Sequence, residues 1–441
     1  MLCLFILHFI RLSAQIKITN DTIPYLDLDQ CIAFALQNHP FVKQSILNQS
    51  IVQKTNAINL SGWYPQVSFN ADFSNYQQLP TSLIQSSAQS SVQAIKFGVF
   101  YTINPVLSLS QTLFNPALIY SAENARLLVE QAKQSSDSTK IGIISSVSKS
   151  FYGLLQNMEQ INVLKEDTAL LAKTERDAYN GYIAGTVDKT DYKQAIISWN
   201  NTKAQLVQAD LNMIPLYAVL QQQMGFPPEK KFNVLFDTAQ LMKNIGSDSV
   251  LKLNYENRIE YQLLNTQQML QEKNINYYKY SALPSLNAFY DLDYESQSNQ
   301  FSDLLVRNYP YSYLGATLSL PIFSGFQRLK SIQRASLQMK ILDEQDEYLK
   351  TAIYTEYVTA LANYKSNLYN LTLLKENDLM AKEVYMVVAL QYKQGIVPYL
   401  NVITAQSNLI SSQISFINAL FTALSSKVDL ERALGTISPK R

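Results

Sequence analysis

The sequence predicts an α+β membrane protein in which long antiparallel helices join a transmembrane β-barrel completed by several chains. Three observations lead to this fold class: a 69-residue stretch without glycine or proline at 326–394, strands of membrane-spanning length, and an internal duplication. A helix of that length would span roughly 100 Å, whereas ordinary globular helices have about 11–12 residues. Apolar residues recur in it every three or four positions, so one face must pack against other helices.

The chain begins with a short apolar run, residues 2–10, that is typical of an export signal with cleavage near Ala14. The alternative, the start of a buried helix, is less favoured because the segment that follows is polar. We therefore predict a signal peptide over residues 1–14. Cys31 is the only cysteine after cleavage, so an intramolecular disulfide is excluded.

Composition excludes several classes of function. The net charge of +1 gives no reason to expect nucleic acid as a partner. No run approaches 18 apolar residues, which predicts no transmembrane helix. With one Cys and one His, His39, the mature chain can form neither a soft metal cluster nor a thiol–imidazole pair. We expect no metal, no cofactor and no enzymatic activity, and we interpret His39 as a helix-start residue.

Short matches between the two halves indicate a duplication. Five of them occur in the same order, with offsets of 219 before the strands and 209–210 after them; one pairs Pro65 with Pro284. The sequence therefore predicts a first repeat over residues 15–225, a linker over 226–254 and a second repeat over 255–441. Each repeat should contain a helix, a β-hairpin, a long helix and a return helix.

Each repeat has two segments in which apolar and polar residues alternate. They cover residues 67–73 and 99–109 in the first repeat and 286–294 and 314–320 in the second. Strands of about ten residues can cross a bilayer, and tyrosines near their ends (Tyr64, Tyr76, Tyr309, Tyr311) favour membrane strands over a soluble hairpin. The polar faces carry Asp72, Asp291 and Asp293, which we expect in the barrel lumen, where they would favour cations.

Four strands per chain cannot close a barrel, because the smallest membrane barrels have about eight. Open strand edges are not tolerated in lipid, so chains must associate. Two chains would give eight strands and a filled interior, whereas three would give twelve strands and room for a lumen. A closed ring with cyclic symmetry satisfies either number.

A long helix follows each strand pair and ends at a Tyr-x-x-Gly turn, after which an antiparallel helix returns. The return helices carry alanines that allow neighbouring helices to approach closely. The two turns contain Tyr182, Gly185, Tyr392 and Gly395.

This duplicated order resembles the TolC family of outer-membrane efflux proteins, over essentially the whole mature chain. Leu-Ser-Leu-Pro-Ile-Phe-Ser-Gly at 318–325, the turn at 392–405 and Asn-His-Pro at 38–40 carry the resemblance. It implies a homotrimer with a twelve-stranded barrel in the outer membrane and a twelve-helix tunnel in the periplasm. It also implies contact with outer-membrane lipids, a periplasmic membrane-fusion adaptor and an inner-membrane pump of the RND or ABC type.

The function that the resemblance implies is that of the outer-membrane channel of a tripartite efflux system, a passive exit duct for small molecules. The alternative within the family is the exit duct of a type I protein secretion system, since the pump chooses the cargo. Two alternatives lie outside the family. A soluble coiled-coil scaffold would need neither the export signal nor strands with an apolar face, and an enzyme would need a clustered nucleophile, base or metal set.

The resemblance also assigns a lock at the periplasmic tip. In the family, a turn tyrosine of the second repeat bonds an aspartate of the first and helps to keep the tip shut. Tyr392 and Asp191 occupy these positions, and Thr190 also matches. The other interpretation of Tyr392, a packing aromatic at a helix end, stays open.

Other parts of the family's tip pattern are missing. An arginine that assists the lock corresponds to Val397. Two aspartates that narrow the pore correspond to Asn401 and Thr404, which lie three residues apart and so on one helix face. The gate ring that these two residues form should therefore be neutral.

Overall fold

The structure, a computed structural model, describes residues 25–85, 92–237, 241–242, 245 and 252–439. The predicted signal peptide, residues 1–14, lies outside them. The helices are α1 (Leu28–Asn38), α2 (Pro40–Leu60), α3 (Pro116–Ile183), α4 (Lys189–Met224), α5 (Ile259–Tyr280), α6 (Gln327–Lys393) and α7 (Tyr399–Leu434). The strands are β1 (Tyr25–Leu26), β2 (Gln66–Asn75), β3 (Thr81–Gln85), β4 (Val92–Lys96), β5 (Tyr101–Phe114), β6 (Asn233–Val234), β7 (Ser285–Ser298) and β8 (Tyr309–Ser319).

The predicted order of elements occurs twice along the chain. The long helices α3 and α6 contain 68 and 67 residues, and the return helices α4 and α7 contain 36 each. Both return helices end at a glycine in the left-handed conformation, Gly225 and Gly435, which is a usual helix stop. The duplication of elements is thus visible in the backbone, while the residue limits of the repeats stay a prediction.

Three small features were not predicted, and all belong to the first repeat or its linker. Helix α1 begins with a capping box, in which the Asp27 side chain accepts from the backbone N–H of Gln30. Strands β1 and β6 form a short parallel pair. Strands β3 and β4 form a separate hairpin within the polar connection between β2 and β5. Each has only five residues, and apolar residues do not alternate with polar ones in either, so the pattern does not mark them as strands.

Packing divides the chain into two compact units, each built from both repeats. The first contains residues 1–43, 137–258 and 352–441, and the second contains 44–136 and 259–351. The core of the first unit is formed by α3 with α1, α4 and α7; Phe151, Leu154, Leu220 and Leu420 are almost fully buried in it.

In this unit, α4 ends against the junction between α1 and α2, and α7 ends against the junction that precedes α5. A Cβ atom at Gly435 would lie 2.5 Å from the carbonyl oxygen of Asn257, and one at Gly225 would lie 2.8 Å from the Cα of His39. Arg258 is buried at the second junction, where it donates to the Ala433 carbonyl at 2.8 Å and pairs with Glu356 at 2.7 Å. A close contact between a return-helix glycine and a helix junction thus occurs in both repeats.

The second unit holds a four-stranded antiparallel sheet in the order β2-β5-β7-β8. Strands β2 and β8 are its edges. The helices of this unit are held by polar contacts: Asn56 donates to the Ala125 carbonyl at 2.8 Å, and Thr266 donates to Gln134 at 2.9 Å.

One helix of the described chain, α7, is long and apolar enough to cross a membrane by length and composition. Half of its most apolar stretch is buried inside the protein. Its hydrophobicity is therefore accounted for by the core of the first unit, to which Leu420, Phe421 and Leu424 belong.

Candidate functional site

The two predicted Tyr-x-x-Gly turns have the same backbone. Gly185 has a φ of 74° and Gly395 a φ of 75°, in the left-handed region where a side chain would be strained. The N–H of Gly185 donates to the Tyr182 carbonyl at 3.1 Å, and the N–H of Gly395 donates to the Tyr392 carbonyl at 2.9 Å. These bonds satisfy carbonyls left free at the helix ends, so each turn is a defined cap rather than a loose loop.

Different aromatic contacts hold the two turns. In the first repeat, Tyr182 stacks on Tyr192 with ring centroids 5.8 Å apart. In the second, Tyr392 packs on Tyr399 at 5.4 Å. Tyr399 is only 3% exposed, in a small cluster with Ala178, Ala195, Val402 and Ile403. The start of α7 is thereby packed against the ends of the long helices.

Tyr392 and Asp191, the two residues of the predicted tip lock, interact through charge rather than through a direct hydrogen bond. Burial and the nearby Asp191 carboxylate raise the pKa of the Tyr392 hydroxyl. No hydrogen bond joins Tyr392 to Asp191 among the described side chains, so the bond expected from the family resemblance is not formed here. The structure brings the two residues close, and Tyr392 makes its ring contact with Tyr399.

Tyr399 is a tip residue that the sequence analysis missed. Burial, followed by the neighbouring Tyr392 and Asp191, raises the pKa of its hydroxyl. That hydroxyl is buried and has no hydrogen-bond partner in the described chain. The sequence does contain a signal for this residue. The duplication aligns Tyr399 with Lys189, so the second turn has an aromatic ring where the first has a charge.

Asn401 and Thr404 are both exposed, while Val402 and Ile403 between them are buried. They lie on one face of α7, as predicted. The Thr404 hydroxyl donates to the Leu400 carbonyl at 2.9 Å, within its own helix. Thr190 is exposed at the start of α4.

In the sheet, pairing registers sort the side chains into two faces. The pairs Val67–Leu109, Leu109–Tyr290 and Tyr290–Leu314 place one row of apolar residues on the same face. The pairs Asp72–Asn104, Ser108–Asp291 and Asp293–Tyr311 belong to the opposite face. The sheet is thus apolar on one side and polar on the other.

All four carboxylates of the sheet strands lie on the polar face, and these strands contain no Lys or Arg. Three of the carboxylates, Asp72, Asp291 and Asp293, were predicted to share it. The fourth, Glu295, continues the alternation on β7 but was not among the predicted lumen residues. Tyr309 and Tyr311, at the start of β8, lie opposite Glu295 and Asp293, so both belong to the carboxylate face.

The sequence profile of the outer membrane efflux protein family matches residues 32–225 and 256–436. The chain belongs to this family. The protein is accordingly a transport channel of the outer membrane, with a helical part in the periplasm. The family is one of channels rather than of known enzymes. A search of curated proteins found no significant match to the chain.

Solved structures share the fold of this efflux protein. VceC from Vibrio cholerae, an outer membrane protein, has a TM-score of 0.69 and 14% identity, covering 92% of this chain and 96% of its own. CusC, described as forming a transmembrane channel, has a TM-score of 0.74 and 15% identity, with 95% of each chain covered. The open state of the MtrE outer membrane channel from Neisseria gonorrhoeae has a TM-score of 0.72 and 18% identity, covering 92% and 88%.

Proposed function

We propose that the protein is a homotrimeric exit duct for small molecules in a tripartite efflux system. Three chains complete a twelve-stranded barrel in the outer membrane and a helical tunnel in the periplasm. A periplasmic adaptor connects the tunnel to an inner-membrane pump, which supplies the energy and selects the cargo.

This proposal rests on the four-stranded sheet, which has one apolar face, one polar face and two edge strands. Strands β2 and β8 each have one neighbour in the sheet, so one side of each lacks a backbone partner there. Each unsatisfied backbone group costs several kcal/mol in hydrocarbon, which makes an open sheet untenable in a bilayer. Pairing β8 of one chain with β2 of the next, around a three-fold axis, removes every edge. The apolar face then meets lipid and the carboxylate face lines the lumen.

The first unit supports association independently. Along α6 and within that unit, Tyr354, Tyr369, Val384 and Leu390 are more than half exposed. A helix this long that leaves large apolar side chains uncovered is suited to packing against a further helix. In the trimer, a neighbouring copy covers them.

At the tip, we propose that packing closes the duct. Tyr392 on Tyr399 holds the second-repeat turn, and Asp191 acts on both hydroxyls through its charge. Asn401 and Thr404 form a neutral ring, so cations gain no carboxylate ligand there.

The oligomeric state can be tested by light scattering of the purified mature protein in detergent. We expect light scattering to give three times the chain mass. In planar bilayers, we expect the protein to conduct in discrete steps. Cysteine pairs placed across β2 and β8, with Cys31 replaced by Ser, should crosslink chains into trimers. A stable monomer in aqueous buffer without detergent would contradict the proposal.

The partners can be tested by crosslinking in cells followed by purification and identification of bound proteins. An adaptor and a pump should be recovered through the first unit. As a control, a variant with Gly185 and Gly395 both changed to Val should lose this recovery while keeping the barrel, because β-branched residues cannot adopt the left-handed turns. Recovery of a protease-sensitive secreted protein and an ABC pump would favour protein secretion instead.

A further inference from the structure

Six residues on the polar face of the sheet form three consecutive cross-strand pairs of an acid with a tyrosine. Asp291 lies opposite Tyr313, Asp293 opposite Tyr311, and Glu295 opposite Tyr309. We call these six residues the acid–tyrosine ladder. Directly opposite side chains in an antiparallel pair have Cβ atoms about 4.5–5.5 Å apart, so each carboxylate adjoins a phenol ring.

The tyrosine side of the ladder is an ordered aromatic surface. The rings of Tyr311 and Tyr313 are stacked, with centroids 6.3 Å apart and planes 13° from parallel. Phe289 extends the row, since its ring meets Tyr313 edge-on at 5.8 Å. Gly315 makes room for it, because a Cβ there would lie 2.4 Å from the end of the Phe289 ring.

The acid side contains a buried carboxylate with one unpartnered oxygen. Asp293 is 4% exposed, and its Oδ2 has no hydrogen-bond partner in the described chain. On the same face, Asn104 lies diagonally across from it on β5, and its Oδ1 is also buried without a partner. Tyr311 makes a side-chain hydrogen bond with Asp293, and Tyr313 makes one with Asp291. Even so, two buried oxygens remain without a donor, on a face that carries no Lys or Arg.

We propose that the acid–tyrosine ladder binds organic cations, of the substituted ammonium class, as they pass through the barrel. An ammonium group is attracted both to a carboxylate and to the face of a phenol ring. Substituted ammonium ions hold water weakly, so they exchange it for aromatic surface more readily than small inorganic ions do. The carboxylates repel anions, and a neutral solute gains no electrostatic attraction from them.

The arrangement is linear, which distinguishes it from a metal site. The three acids of β7 are spaced two residues apart, about 7 Å along a strand. Among the described residues, no group of three or more His, Cys, Asp or Glu side chains could hold a metal ion. A row of this kind gives a bulky cation successive positions of similar affinity, which is what conduction requires.

This inference rests on the proposed channel, because the ladder lines a lumen only if the barrel closes. The test therefore uses one preparation for two measurements: the protein in nanodiscs of phosphatidylcholine, a lipid without net charge, and the same protein in planar bilayers. Benzyltrimethylammonium is the probe and benzenesulfonate its anionic counterpart. Binding is followed by calorimetry against empty nanodiscs at low salt.

We expect benzyltrimethylammonium to bind and benzenesulfonate not to bind. Changing Tyr309, Tyr311 and Tyr313 together to Leu should weaken binding about tenfold or more, as should Asp293→Asn. Tyr290→Leu is the matched control, because Tyr290 lies on the same strand as the acids but on the apolar face, opposite Leu314. It should leave binding unchanged.

Bilayer conductance separates the two ways of failing. If the protein conducts but the triple leucine variant binds the probe as wild type does, the ladder is overturned and the channel stands. The same holds if sodium at equal concentration displaces the probe completely, since simple charge then explains the binding. If neither the wild-type protein nor the Tyr392→Ala variant, which should open the tip, conducts at all, the channel itself is wrong.

Discussion

The two long helices, α3 and α6, have nearly the same length and end at turns of the same type. In the first unit, however, they are buried to different extents. Most of the unit's largest buried side chains on long helices belong to α3, including Phe151, Leu154, Leu155 and Leu164. Within the same unit, α6 leaves Tyr354, Tyr369 and Leu390 exposed. A duplicated sequence pattern has thus produced one core helix and one helix with an uncovered apolar face.

Equivalent positions show what this difference means. The offset of 210 aligns buried Ile144 with exposed Tyr354, and buried Asp167 with exposed Asn377. On α3 the environment is the chain's own core, so the residue must suit a dry site. On α6 the environment is solvent in the single chain and, in the proposed trimer, another copy. The two long helices therefore share a backbone but differ in surroundings: α3 packs in the core, and α6 faces solvent or, in the proposed trimer, another copy.

The largest expected effect comes from the matched pair Ile144→Ala and Tyr354→Ala. Ile144→Ala should lower the free energy of unfolding by about 2–5 kcal/mol, because it leaves a cavity in the core. Tyr354→Ala should weaken association instead, so its effect on the melting temperature should depend on protein concentration. Thermal unfolding followed by circular dichroism at several concentrations measures both. A concentration-independent loss for Tyr354→Ala would contradict the proposed interface.

The next effect concerns pH and the buried acid of α3. Burial, with a smaller contribution from Glu166, raises the pKa of Asp167 from 3.8 to about 6. Because the folded state holds this proton more tightly than the unfolded state, stability should rise as pH falls from about 6 to about 4. Above pH 6 the ionised group is destabilising. Asp167→Asn, which copies Asn377, should raise stability at pH 7.5 by about 1–3 kcal/mol.

Denaturant unfolding at several pH values tests this, with Asn377→Asp as the control. An exposed aspartate should add no slope between pH 4 and 6. Equal slopes for wild type and Asp167→Asn would show that the pH dependence has another source.

A smaller effect is expected at the tips, where the comparison can be sharpened. Tyr392→Ala removes the ring contact with Tyr399 and should raise resting conductance in planar bilayers, about tenfold if 1.4 kcal/mol of closure is lost. Tyr392→Phe keeps the ring and should stay close to wild type, since no hydrogen bond from Tyr392 to Asp191 is present. If the Phe variant opens the channel as much as the Ala variant, the hydroxyl is the lock after all.

The smallest effect is expected from Asn401→Asp, which gives the second repeat the residue that the first has at Asp191. The exposed carboxylates should introduce weak, salt-dependent block by divalent cations, worth about 1 kcal/mol or less. Asn401→Gln is the neutral control. Block by divalent cations already present in wild type would contradict a neutral ring.

Much of the architecture followed from residue order. The absence of Gly and Pro at 326–394 predicted α6, and the duplication predicted α3, α4 and α7 with their glycine stops. Alternation placed Asp72, Asp291 and Asp293 on polar strand faces, and the observed registers agree. These features are local, since a period of 2 or 3.6 and a left-handed glycine are written into a few neighbouring residues.

By itself, the sequence determined the long and return helices, the four strands of the sheet with their two faces, and the family resemblance. Only the tertiary structure decided which side chains meet across elements. Glu295 and Tyr309 are 14 residues apart, and Asp191 and Tyr392 are 201 residues apart, so no local period relates either pair. Strand pairing turned expected interfacial tyrosines into partners of carboxylates, and helix packing gave Tyr399 the contact with Tyr392. Periodicity sets the face on which a side chain lies, whereas register and packing, summed over many weak contacts, set its neighbours.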